Sequence, residues 1–299
     1  MSKKRILIIF AIAFASCMSS IISSKATTVT YAGFSSTAGL TLVGNASVVS
    51  TTDGNVVRLT PASMSQSGAV YSTSPISLGA NEIFSTGFSF RFTNPGPAAS
   101  ADGITFMLAA SPNGLGSVGG GLGYEGVGNS VAIEFDTWNN GPSDGNSDNH
   151  VAIDTNGILT DTNVVYPYGV QNCNSSGFGC MSNGDLWHAT IGYNGTALSV
   201  YLQDGTANID TIMSNYPINI ASYLGTTNAY LGLTGGTGGG YENQDIVAWS
   251  YSNTTQILQQ TEIPEPSALL LILAGIVILF VVIRFTKFDG KSEDNDATL

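Results

Sequence analysis

The chain has 299 residues, 36 of them glycine, and a formal net charge of −12. From Thr27 to Pro266 seventeen acids face two arginines, Arg58 and Arg91, with no lysine, a formal charge of −15. Nucleic acid and anionic membrane surfaces would repel such a body, whereas neutral ligands and divalent cations would not.

Residues 1–26 read as a signal peptide. Lys3, Lys4 and Arg5 precede an apolar run from Ile6 to Ala15, and Ser24-Lys25-Ala26 offers a small-x-small cleavage site. Cys17 is expected to leave with it. In an exported chain the remaining cysteines, Cys173 and Cys180, are most simply a disulfide closing a flexible Gly/Ser/Asn loop.

Residues 27–256 form the body, in which short β-rich runs alternate with Gly/Asn/Ser/Pro turns and no amphipathic helix stands out. The predicted strands are Leu40–Val43, Val56–Leu59, Ala69–Tyr71, Phe84–Phe92, Gly103–Ala109, Ser130–Trp138, His150–Asp154, Leu186–Tyr193, Ala197–Leu202, Ala229–Leu233 and Asp245–Tyr251. Many short strands at regular turns predict an all-β jelly-roll sandwich. His188, with Asp185 the only acid close in sequence, reads as structural, and Trp249 and Tyr251 as core.

The most informative stretch is Ile133 to Asp154. Alternation on its first strand puts Glu134, Asp136 and Trp138 on one face, opposite Ile133 and Phe135. Neighbouring carboxylates repel each other unless a proton or a cation neutralises them. A Gly- and Asn-rich loop follows with Asn140, Asp144, Asp148 and Asn149, and closes at His150. Carboxylates with an amide and a backbone carbonyl suit calcium; adding an imidazole suits a transition metal such as manganese. The competing reading is an acidic surface loop.

The run E-F-D-T-W-N-N, then a loop, then N-H-V-A-I-D, resembles the metal signature of the legume-type (L-type) lectins. The resemblance implies Glu134 and His150 as manganese ligands, Asp136 as a bridge to calcium, and the Trp138 carbonyl and Asn140 as calcium ligands. A second bridging Asp usually stands five residues before the His. Gly145 occupies that position here, so Asp144 is the expected ligand and Asp148 the reserve. The A-D-G-I-T-F-M-L-A run (Ala101 to Ala109) resembles the family's strand with a sugar-binding Asp, implying Asp102 preceded by a cis peptide. G-S-V-G-G-G-L-G-Y (Gly116 to Tyr124) resembles the loop whose glycine amide meets the sugar, implying Gly120. The final L-T-G-G-T-G-G-G-Y run implies a specificity loop with Gly235, Gly236 and Tyr241. Either Trp138 or Tyr241 would stack on the sugar.

Residues 257–267 are a linker that carries Pro264-Glu265-Pro266, and residues 268–285 a transmembrane or sorting helix built on the apolar run Ala268 to Ile283. Arg284 and Lys287 follow, which places the acidic tail, residues 286–299, in the cytoplasm. Motif, helix and basic residues resemble the PEP-CTERM sorting tail of Gram-negative bacteria, implying exosortase-type processing. The tail beyond the basic residues departs from that pattern.

The resulting expectation is a concanavalin-like β-sandwich, anchored at the cell surface or extracellular, that binds a glycan or exopolysaccharide with calcium and manganese. Multivalency commonly strengthens such weak sites, which leaves room for a homo-oligomer. One rival is a glycoside hydrolase on the same sandwich, but its Glu-x-Asp-x-(x)-Glu strand lacks the second Glu here. The other is a structural surface protein in which metal only stabilises the fold. A protease or esterase finds no Gly-x-Ser-x-Gly elbow.

Overall fold

The computed structural model describes residues 28–79, 83–173 and 177–253. The expected signal peptide, linker, apolar helix and acidic tail lie outside these residues. Among the described residues no helix is long and apolar enough to cross a membrane.

The strands begin with β1 (Thr28–Tyr31), β2 (Leu40–Gly44), β3 (Ser47–Thr51), β4 (Gly54–Thr60), β5 (Ser67–Ser72), β6 (Ile76–Ser77) and β7 (Phe84–Thr93). β8 (Gly103–Ala109), β9 (Ser130–Asp136), β10 (His150–Thr155), β11 (Ile158–Val165) and β12 (Trp187–Tyr193) follow. β13 (Ala197–Asp204), β14 (Asp210–Pro217), β15 (Asn228–Gly236) and β16 (Asn243–Ser252) complete them. A short helix, α1 (Ile220–Leu224), is capped by the Asn219 side chain, which accepts from the Ser222 amide, and stops at Gly225 with φ 68°.

The strands form two antiparallel sheets. One runs β14-β13-β12-β7-β16-β4-β3, with β1 also on β16; the other runs β11-β10-β9-β8-β15-β5-β2, with β6 also on β15. Alternation decides which side chains meet between them. Phe84, Phe88, Phe90 and Phe92 of β7 are buried, as are Ile133 and Phe135 of β9 and Ile104 and Phe106 of β8. The rings interlock across the sandwich: Phe88 meets Phe135 edge-on at 5.6 Å and stacks on Phe106 at 6.2 Å. A fully buried aromatic contributes roughly 1.5–3 kcal/mol, so this ladder holds the two sheets face to face. Trp249 joins it and its indole donates to Thr86 Oγ1 at 3.0 Å.

The second sheet is buried on its far face as well. Tyr124 and Val127, from the loop after β8, pack on Ala69, Tyr71, Met107 and Ala132. Every residue of β8 and β9 is therefore buried, including the carboxylates of β9. His188 is half-buried, with Nδ1 2.8 Å from Ser89 Oγ.

Two sequence expectations need correction. β9 ends at Asp136, so Trp138 does not continue the strand face of Glu134 and Asp136; its amide turns back to donate to Asp136 Oδ1 at 2.6 Å. The sequence reading also omitted β1, β3, β6, β11 and β14. Three of these, β3, β11 and β14, are sheet edges. An edge strand buries little, so its sequence need not alternate, and Ile158–Val165 contains no fully buried residue.

Candidate functional site

The register of three strands assembles the centre of the site. Asp136 of β9 pairs with His150 of β10 on one side and with Gly103 of β8 on the other. Ile133, Phe135, Val151 and Ile153 take the core face, so Glu134, Asp136 and His150 are left together on the opposite face. Their ligand atoms all lie within 4.8 Å of one another, and all three residues are buried. His150 Nε2 stands 3.2 Å from Glu134 Oε1.

The electrostatics are those of a cluster built for positive charge. Burial, then the neighbouring Asp154, Asp136 and Asp161, hold the Glu134 carboxyl well above its usual range. Burial does the same to Asp136, only partly offset by the Trp138 amide. The His150 pKa is lowered, chiefly by burial, so the ring is neutral and free to ligate. Glu134 Oε1 and both His150 nitrogens are buried without a hydrogen-bond partner. Such orphaned atoms are costly, and buried acids beside a neutral imidazole are the donor set of a divalent transition metal. The residues present fit that ion.

The loop after β9 brings in further oxygens. Asp144 ends a 3-10 turn at Pro142–Asp144, and Gly145 stops the turn with φ 63°. The turn folds the buried Asp144 carboxylate back to accept from the Asn140 amide. Asp148, the reserve candidate, points elsewhere: its Oδ1 accepts from the Cys173 amide at 2.6 Å. Cys173 and Cys180 form a disulfide, with Cα atoms 5.7 Å apart. The chain around the disulfide braces the β9–β10 loop. Asn149 donates to the carbonyls of Val170 and Gly179 and accepts from the Met181 amide, and Ser147 donates to Gln171.

A second cluster of polar groups lies beside this centre. The Ala101–Asp102 peptide is cis. The Asp102 amide donates to Gly236 O at 3.1 Å and its carbonyl accepts from Thr137 N at 2.8 Å, tying it to both neighbouring strands. Asp102 Oδ2 is buried without a partner. Burial raises the Asp102 pKa to about 6, against a lowering contribution from the Gly238 backbone. A Cβ on Gly238 would lie 3.2 Å from Asp102 Oδ2, and one on Gly120 would lie 2.9 Å from both polar side-chain atoms of Asn140. Asp102, Gly119, Gly120, Gly238 and Asn140 therefore converge around bare backbone. Such a surface offers a carboxylate, an amide side chain and backbone groups to a polyhydroxyl ligand.

Other expected residues lie differently. Gly235 and Gly236 belong to β15 and are buried, not part of an open loop. A Cβ on Gly235 would sit 2.3 Å from Gln244 Oε1, and one on Gly236 would sit 2.7 Å from Gly119 O. Their work is close packing beneath that cluster, and Gly238 is the loop glycine that faces Asp102. The Tyr241 ring covers Gly96, while the half-buried Trp138 ring stands 3.5 Å from a Cβ position on Gly240. Sequence reasoning missed Asp154 and Asp161, whose ligand atoms lie with those of Glu134 inside 4.8 Å. Alternation from His150 through Ala152 would have placed Asp154 on this face; nothing in the sequence placed Asp161 there. Glu242, also missed, is buried and takes a hydrogen bond from Thr137 Oγ1 at 3.3 Å.

A family model, the legume lectin domain, matches residues 26–267. An L-type lectin-domain containing receptor kinase VIII.1 of Arabidopsis thaliana is 27% identical over 219 residues, 71% of this chain and 28% of the kinase. The chain spans similarly small parts, 24% and 36%, of two further Arabidopsis receptor kinases that it matches. A 2-acetamido-2-deoxy-D-galactose-binding seed lectin of Cytisus scoparius is 30% identical over 214 residues, 64% of this chain and 81% of the lectin. Among solved structures, the lectin of Bauhinia forficata in complex with GalNAc superposes with a TM-score of 0.62 at 22% identity, covering 77% of this chain and 99% of that one.

Proposed function

The chain belongs to the legume lectin domain family, and from that premise we propose that it binds a neutral glycan at the Asp102–Gly120–Asn140 cluster, with calcium and manganese holding that cluster in shape. The family consists of non-enzymatic carbohydrate binders, so the hydrolase alternative is set aside. The observation that carries the reading is the convergence of the unpartnered Asp102 Oδ2, Gly120 and Asn140 beside a buried carboxylate–imidazole cluster.

Glu134, Asp136, Asp144 and His150 would hold manganese; Asp136, Asp144, the Trp138 carbonyl and Asn140 would hold calcium. Bound there, the cations supply fixed positive charge that cancels the repulsion among these buried acids. Asp102 and Asn140 accept from and donate to sugar hydroxyls, and the Gly120 amide donates a further hydrogen bond. Bare backbone at Gly120 and Gly238 lets the ligand come close. Trp138 or Tyr241 covers the apolar face of the ring. A loop already tied by Asp144 to the Asn140 amide spends little entropy on binding, which matters for a weak ligand. Two relatives named for binding or holding 2-acetamido-2-deoxygalactose support the carbohydrate class, and the formal charge of −15 between Thr27 and Pro266 favours a neutral sugar.

The same proposal extends to the chain ends: export through residues 1–26, a body over 27–256, and retention at a Gram-negative cell surface through the Pro-Glu-Pro linker and residues 268–285. Exosortase-type processing would act at that segment. Association of copies would add avidity.

A glycan array run with calcium plus manganese, and again with EDTA, tests the reading. Binding to defined sugars that EDTA abolishes is expected. If no sugar binds while EDTA still lowers the melting temperature, the metals serve only as a structural staple and the roles given to Asp102, Gly120 and Asn140 fall.

A further inference from the structure

Resting on the two-cation reading above, we propose that Asp161 is a fifth protein ligand of the manganese position, added to Glu134, Asp136, Asp144 and His150. Its ligand atom lies within 4.8 Å of those of Glu134 and Asp154, and its carboxyl also meets that of Asp144. Asp161 thus faces one acid from β9 and one from the loop, the two directions from which the ion would be enclosed. The acids it approaches carry open oxygens: Glu134 Oε1 and Asp154 Oδ2 are buried and lack any hydrogen bond.

The backbone explains why a residue on an exposed edge strand reaches so far in. The β10–β11 pairing shifts register between Ile153 and Thr155, and Asp161 takes φ 44°, a conformation that aspartate tolerates better than most residues. A bulge of this kind re-aims a side chain. It is held by Asp154, whose Oδ1 accepts from the amides of Thr160 at 2.7 Å and Asp161 at 3.1 Å. Asp154 is fully buried and acts as the positioning residue.

With five protein ligands, an ion that prefers six donors keeps one position for water.

The test compares the full chain, purified in detergent, with Asp161→Asn. Each is stripped, reloaded with calcium and manganese, and assayed for ions bound, manganese affinity and waters on the manganese by proton relaxation. We expect one ion of each metal in both proteins, manganese affinity roughly ten- to a hundredfold lower in Asp161→Asn, and one additional bound water. A metal-free melting temperature no lower than wild type confirms that the variant is folded. Unchanged affinity and water count would overturn the proposal. So would a third cation in wild type that Asp161→Asn loses, which would place Asp161 in a separate site with Asp154. If wild type takes up neither metal, the two-cation reading itself fails; if it loads normally and Asp161→Asn is indistinguishable, only the present inference does.

Discussion

Nε2 of His150 lies 3.2 Å from Oε1 of Glu134, both fully buried, and neither atom completes a hydrogen bond there. The two residues come from adjacent strands, two residues out of register, since His150 pairs with Asp136 and Ala152 with Glu134. This diagonal contact puts a neutral imidazole and an acid at the wall of one small space, and Asp136 completes it. A cation there would meet both unsatisfied atoms at once.

The placement of Asp136 and Asp102 separates two effects. Asp136→Ala should remove metal and sugar binding together, because Asp136 sits among the proposed metal ligands. Asp102→Ala should leave metal binding intact while sugar affinity falls roughly ten- to a hundredfold, the worth of a hydrogen bond to a charged group. Calorimetric metal titration beside glycan binding checks both. Loss of metal in Asp102→Ala would contradict its assignment to the ligand side.

Stability without metal should depend on pH with a definite sign. Burial raises Asp161 to about 7 and Asp102 to about 6, and lifts Glu134 and Asp136 well above their usual range. A group whose pKa is raised by folding stabilises below its unfolded value, and that contribution is lost as pH climbs through the folded value. EDTA-treated protein should therefore melt several degrees lower at pH 8 than at pH 5. Calcium and manganese should erase or reverse the trend, since they favour the ionised acids. Thermal melts across that range, with and without cations, decide it.

Two glycines should respond in opposite ways. Gly103 has φ 133°, and a Cβ there would lie 2.4 Å from Phe135 O in the partner strand. Gly103→Ala should cost more than about 2 kcal/mol in urea unfolding and impair metal binding as β8 and β9 part. At Gly120 the three nearest atoms all belong to the end of the Asn140 side chain, which can swing aside. Gly120→Ala should fold normally yet bind sugar about tenfold more weakly, because Asn140 is displaced.

The disulfide should matter to the metal as well as to the fold. The Cys173–Cys180 segment meets the β9–β10 loop through Asn149 and Asp148. Replacing both cysteines by serine should lower the melting temperature and, at the same time, weaken cation affinity. Melting the wild type and the serine variant with and without saturating cations separates the two contributions. An unchanged cation affinity would reduce the disulfide to a brace of its own loop.

The sequence by itself determined the all-β class, most interior strands and the pairing of Cys173 with Cys180. These follow from local rules: strands buried on a face must alternate or run apolar, and a short Gly-rich segment between two cysteines closes easily. The run from Glu134 to His150 also named a compact set of oxygen and nitrogen donors. Tertiary structure decided the rest. It showed that Asp144 turns inward while Asp148 turns to Cys173, a choice made by one 3-10 turn and a left-handed Gly145. It moved Gly235 and Gly236 into β15 and put Gly238 against Asp102. It brought in Asp161 through a bulge whose register no linear pattern encodes. Local patterns state which face a side chain prefers; where strands slip, turn or cross, only the pairing of distant segments states what that face meets.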